Sequence, residues 1–400
     1  MAALTMETPD GVPVQSATVG VRAPTQSRLL YVENLRILLI GLVILTHLAI
    51  TYGAPAGDWY YKENGQLGLV PAILMLLFLA LNQSFFMGLF FMISAYFIPT
   101  SCDRKGTGVF IVDRLRRLGI PLLFYFCVIN PFLVYVLQGY YGLDRSLWEF
   151  LREGYVRSLA VGPLWFVEAL LIFSILYSFC RRLTTSTGAP PRTDDRAPGN
   201  GAIALFVLGL GLVTFVARIW MPVGFWFEPL HLQLAHFSQY VAFFLVGLVA
   251  YRRGWLPGLS DAQVRIWQWV ALALVPLFPV LVLAGGALHD GIAPFLGGLN
   301  WQSLAFALWE QGVGMAIVIT LLAWFRRKLN RQGVIARAMS GASYATYVLH
   351  PVVLVLIGLA LSGVHLDLAL KFLLVAPVAI SLSFLAGHLL RNLPLAREVL

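Results

Sequence analysis

Long apolar runs, broken by short polar joints that carry arginine, dominate the chain from residue 30 onward. About ten runs have the roughly 17 to 25 residues that a helix needs to cross a 30 Å hydrocarbon core. They fall near 30–52, 82–99, 119–138, 164–180, 202–219, 236–251, 266–284, 302–325, 343–362 and 368–390. Runs of this length without period-two alternation predict helices, since only a helix satisfies its own backbone inside lipid. The predicted fold class is therefore all-α, a polytopic membrane bundle. One further apolar run, 67–81, directly precedes the second span and fits either a separate helix or the outer part of a long tilted one.

The polar stretches set the boundaries. Residues 1–28 are rich in Pro, Thr, Val and Gly and contain no coherent apolar run, so a disordered tail is expected there. The apolar stretch that follows is too long for a signal-peptide core and has no small-residue cleavage site. Residues 188–201, GAPPRTDDRAPGNG, form a Pro/Gly-rich linker after the fourth span, and 392–400 form a short C-terminal tail. Residues 29–391 are then one transmembrane domain, with no sequence repeat to suggest an inverted-repeat transporter.

Composition narrows the class. With 59% hydrophobic residues, 12% charged and a mean hydropathy of +0.79, the chain lies outside the range of soluble domains. A net charge of +9 suits nucleic-acid binding or the positive-inside rule, and the placement of the charges decides. Of 28 Lys and Arg, all but Lys62, Arg145, Arg152, Arg157, Arg218 and Lys371 fall on one side of the drawn bundle. That bias predicts an even number of spans with both termini in the cytoplasm, in a cell membrane, expected to be a bacterial inner membrane. Cys102, Cys127 and Cys180 lack metal spacing and support neither a disulfide framework nor a zinc site.

Few ionisable groups lie inside the spans. Arg36 and His47 are eleven residues apart in the first, which is three turns plus about 20°, so they share one face about 16 Å apart along the axis. Such costly groups usually face a bundle interior for function. Glu168 and Glu310 enter from the opposite side and reach a depth similar to that of His47, so either carboxylate is a candidate to orient the imidazole as a general base. His350, beside Pro351, is expected to be a kink or pocket residue and not a partner of His47. His231, His236, His289 and His365 lie at or beyond span ends, where solvent exposure is expected. Arg104, Lys105, Arg114 and Arg117 form a basic cluster suited either to the phosphates of an anionic co-substrate or to anionic lipid. No nucleophile elbow, phosphate-binding loop, paired-histidine zinc motif or dinucleotide fingerprint is present.

Several motifs occur together in order: Arg36 and His47, FFMISAYFI at 90–98, RKG at 104–106, Arg114 and Arg117 before Ile120–Pro121, LWF at 164–166, FFLVGLVAYRRGWL at 243–256 and SYATYVLHP at 343–351. In these the chain resembles the acyltransferase family 3, integral membrane O-acyltransferases of about ten spans. Glu33 stands where that family usually has Asp, and Ser94-Ala95 where it has Ser-Gly. The resemblance implies transfer of an acyl group, commonly acetyl, from cytoplasmic acyl-CoA to a hydroxyl of a sugar or other acceptor. It implies no permanently bound cofactor, with acyl-CoA as co-substrate and no nucleic acid as partner. It also implies His47 as base, and Arg36 with the Arg114/Arg117 pair on the donor. The competing class is a proton-coupled transporter using Arg36, His47 and Glu310 as a relay.

Overall fold

A computed structural model describes residues 29–183 and 197–400, apart from Ala56, Asp144, Pro229, His231, Pro257, Glu398 and Leu400. The expected N-terminal tail, most of the 188–201 linker and His231 lie outside the described residues. Among the described residues, ten helices are long and apolar enough to cross a membrane. They are α1 Leu30–Thr51, α2 Leu69–Lys105, α3 Thr107–Tyr140, α4 Gly162–Leu183, α5 Asn200–Trp220, α6 Leu234–Arg253, α7 Asp261–Ala284, α8 Trp301–Lys328, α9 Val334–Ala360 and α10 Leu368–Arg391. Among the described residues the only β pairing is an isolated bridge between Phe227 and Leu232.

The run at 67–81 is not a separate helix. It continues without a break into the second span: Leu69–Tyr96 is one helix of 28 residues, none of them charged. The third span also starts earlier than its hydropathy suggested, at Thr107, after Gly106 turns the chain with φ +78°. Within α3, wide turns at Leu115–Gly119 and Tyr125–Ile129 stand just before or around Pro121 and Pro131. A proline has no N–H for the carbonyl four residues back, and a local π-turn redistributes that ladder.

Helix α1 lies inside the bundle, against α2, α8, α9 and α10. Ile40 and Val43, which lie between Arg36 and His47 on their shared face, are buried, so that face looks into protein. Two small residues allow close crossings on α2. A side chain at Gly314 of α8 would collide with the Ser84 carbonyl, and one at Gly247 of α6 with the Met92 carbonyl. Small residues at such crossings let backbones approach where lipid gives helices no hydrophobic drive to associate. α2 is thus gripped from both sides, and the segment it carries past α1 and α6 forms a wall of the site.

Candidate active site

His47, on α1, meets His350, on α9: Nδ1 of His47 and Nε2 of His350 are 3.1 Å apart. This corrects the expectation that His350 would not partner His47. The Nδ1 of His350 is in turn 2.6 Å from the Tyr347 carbonyl. A carbonyl only accepts, so His350 Nδ1 carries the hydrogen; in the neutral ring its Nε2 then has the lone pair. His47 must therefore donate from Nδ1, which leaves its own Nε2 as an unprotonated base. The local sequence explains this arrangement. In a helix the Tyr347 carbonyl would accept from residue 351, which is Pro351 and has no N–H.

The segment between α1 and α2 covers this pair. Trp59 stacks on His47 with ring centroids 4.0 Å apart and planes at 15°. Next to it the Tyr60 hydroxyl bonds to Asn130 Oδ1 and lies 2.9 Å from the Tyr125 hydroxyl. Burial pushes the Tyr60 phenol up to about 12, so it stays protonated and donates to Asn130. Further along, Glu63 pairs with buried Lys371 of α10 at 2.9 Å. Lys371 gives its other two hydrogens to the Leu361 and Val364 carbonyls, at 2.7 and 3.0 Å. Every donor of this buried ammonium is satisfied, and the segment carrying Trp59 is fixed to the bundle as a result.

His47 lines a cavity of about 160 Å³. Gln83 of α2, Trp165 of α4, Trp226 and Gln233 from the α5–α6 connection, and His236 and Tyr240 of α6 share its wall. Trp165 stacks on Tyr240 at 5.3 Å, and Tyr240 accepts from Gln83 Nε2 at 2.8 Å. The cavity thus combines aromatic faces with amide, hydroxyl and imidazole groups.

Neither candidate carboxylate bonds to His47. Glu310 is buried and paired with Arg218 of α5 at 2.7 Å, with His236 Nδ1 at 3.5 Å. A buried carboxylate is satisfied better by a guanidinium than by a neutral imidazole. Glu168, on α4, has its Oε2 buried without a hydrogen-bond partner and does not line the cavity. His236 is buried, against the expected exposure, whereas His289 and His365 are exposed. Arg218 was legible only as a charge at a span end. An arginine in the last turn of a membrane helix ordinarily reaches out to the interface, so nothing local in the sequence marks its inward turn.

On the arginine-rich face the four basic candidates divide. Asp113 takes Lys105 at 2.9 Å and Arg117 at 3.3 Å, and Arg104 is exposed. Arg114 lies over the Phe110 ring at 4.8 Å, its Nε buried without a partner. Arg36 itself lies over Phe97 at 5.5 Å. Among the described residues no cluster of three or more His, Cys, Asp or Glu has the arrangement of a metal site.

Among the described residues, ten membrane-spanning helices thus carry a hydrogen-bonded histidine pair beside a cavity of about 160 Å³. The chain belongs to acyltransferase family 3, whose model, described as an acyltransferase domain, matches residues 29–388. It is a membrane acyltransferase, with an acyl donor, an acceptor and a lipid bilayer as its partners. No curated protein and no solved structure matches the chain.

Proposed function

We propose that this acyltransferase moves an acyl group, acetyl in the simplest case, from acyl-CoA to a hydroxyl of a carbohydrate or related acceptor, with His47 as general base. The observation that carries this reading is the directed chain from His47 through His350 to the Tyr347 carbonyl, which leaves His47 Nε2 unprotonated at the cavity. The acceptor hydroxyl gives its proton to Nε2 as its oxygen attacks the thioester carbonyl. The tetrahedral oxyanion collapses, the C–S bond breaks, and the CoA thiolate takes the proton from the His47 imidazolium. No covalent enzyme intermediate is needed, because a thiolate departs readily.

The arginine-rich face is proposed to be cytoplasmic, as the positive-inside rule favours, with both termini there and a bacterial inner membrane as the setting. Arg36 and Arg114 then hold the phosphates of CoA, with Arg104, Lys105 and Arg117 around them. Its flexible pantetheine arm spans the roughly 16 Å along α1 from Arg36 to His47. Trp165 and Trp226 supply ring faces for sugar C–H groups, while Gln83 and Gln233 supply amides for hydroxyls.

The test is thiol release from acetyl-CoA by the purified protein in detergent, with and without methyl glycosides. Glycoside-stimulated release with formation of an acylated glycoside is expected. Absence of any thiol release would refute acyl-CoA as the donor.

A further inference from the structure

The reaction just described makes no direct use of a buried polar cluster built from three helices. Arg218 of α5 is completely buried, and its Nη2 donates to Glu310 Oε2 at 2.7 Å and to His236 Nδ1 at 3.0 Å. Its Nε donates to the Ala235 carbonyl at 3.2 Å, and Phe306 covers the guanidinium from 5.5 Å. His236 Nδ1 also lies 3.5 Å from Glu310 Oε1, but the guanidinium at 3.0 Å is nearer and has no lone pair to offer, so Nδ1 accepts from Arg218. In the neutral ring the hydrogen is then on Nε2. His236 lines the same cavity as His47.

The two histidines of the cavity are thus fixed in opposite senses. His47 donates from Nδ1 into the protein and keeps an accepting Nε2; His236 accepts at Nδ1 and keeps a donating Nε2. A buried ion pair adds little net stability over well-packed apolar residues, because desolvation offsets the attraction. Orientation of the His236 ring is what the Arg218–Glu310 pair supplies and an apolar pair would not.

We propose that His236 is an acceptor-binding residue and that Arg218 and Glu310 are its positioning residues. Its Nε2–H donates to an oxygen of the acceptor while another hydroxyl of that acceptor is deprotonated by His47. This rests on the O-acyltransferase reading above.

The experiment is steady-state kinetics of purified protein with acetyl-CoA as donor and methyl glycosides as acceptor. His236→Ala is expected to raise the acceptor KM about tenfold or more while the donor KM stays within about twofold. His236→Gln, whose side-chain amide can offer an N–H near the same place, should recover most of that loss. The double variant Arg218→Met/Glu310→Leu removes the charges together, which a bundle tolerates far better than removal of one. It is expected to melt near the wild-type temperature and still raise the acceptor KM as His236→Ala does.

An unchanged acceptor KM in folded His236→Ala, or a rise confined to the donor KM, would overturn the acceptor role. A normal acceptor KM in the folded double variant would overturn the positioning role. If no glycoside raises thiol release above the rate with water, the assignment fails at its acceptor. The base assignment is read separately, from the thiol release to water that His47→Ala should abolish.

Discussion

The carbonyl of Tyr347 lies four residues before Pro351, which cannot donate to it, and the His350 ring donates there at 2.6 Å instead. This exchange of a backbone donor for a side-chain donor sets the tautomer of His350 and, through it, that of His47. Restoring the backbone donor should undo it. Pro351→Ala is expected to keep or raise the melting temperature, since proline inside a helix costs about 3 kcal/mol. Turnover should nevertheless fall by about tenfold or more, as His350 loses its fixed partner. Thermal unfolding and thiol release on the same sample check both parts.

His350 should matter through the lone pair it offers His47. His350→Ala is predicted to lower kcat by about 10² to 10⁴, the range seen when a base loses its orienting partner. His350→Gln, which can present a side-chain oxygen to His47 Nδ1, is expected to retain more activity than His350→Ala. Equal loss in the two variants would mean that His350 acts only by filling space.

The segment over the site depends on one buried ion pair. Lys371→Met leaves Glu63 buried without its cation and is expected to cost about 3 to 5 kcal/mol. Adding Glu63→Leu should restore much of the stability. Trp59→Ala, by contrast, should lower kcat with only a small change in melting temperature, because it removes the stacking partner of His47 while leaving the pair intact. Calorimetry beside turnover separates the two effects.

Much of this was legible in the sequence, and the division follows physical range. The spans and the common face of Arg36 and His47 follow from local hydropathy and helical period, which packing does not change. The partners across helices do not. His47 and His350 are 303 positions apart, and depth alone cannot say which helices touch. Matching Glu310 to His47 by depth overlooked Arg218, a stronger partner for a buried carboxylate. The His350-Pro351 pair did hold a readable signal: a proline frees the carbonyl at 347, and a histidine beside it can donate there.

Donor binding should depend on guanidinium geometry at two positions. Arg36→Lys and Arg114→Lys are each predicted to raise the acetyl-CoA KM about tenfold with little effect on the acceptor KM, since lysine cannot make bidentate contacts to phosphate. Arg104→Ala, at an exposed position, should have a smaller effect. Donor-variable kinetics distinguish these outcomes.

The central claim is that His47 takes the acceptor proton. Its most direct test is single-turnover thiol release from acetyl-CoA by purified His47→Ala protein whose melting temperature matches that of the unaltered enzyme. Loss of release, with acetyl-CoA still bound, is the predicted result; release at the wild-type rate by that folded variant would contradict it.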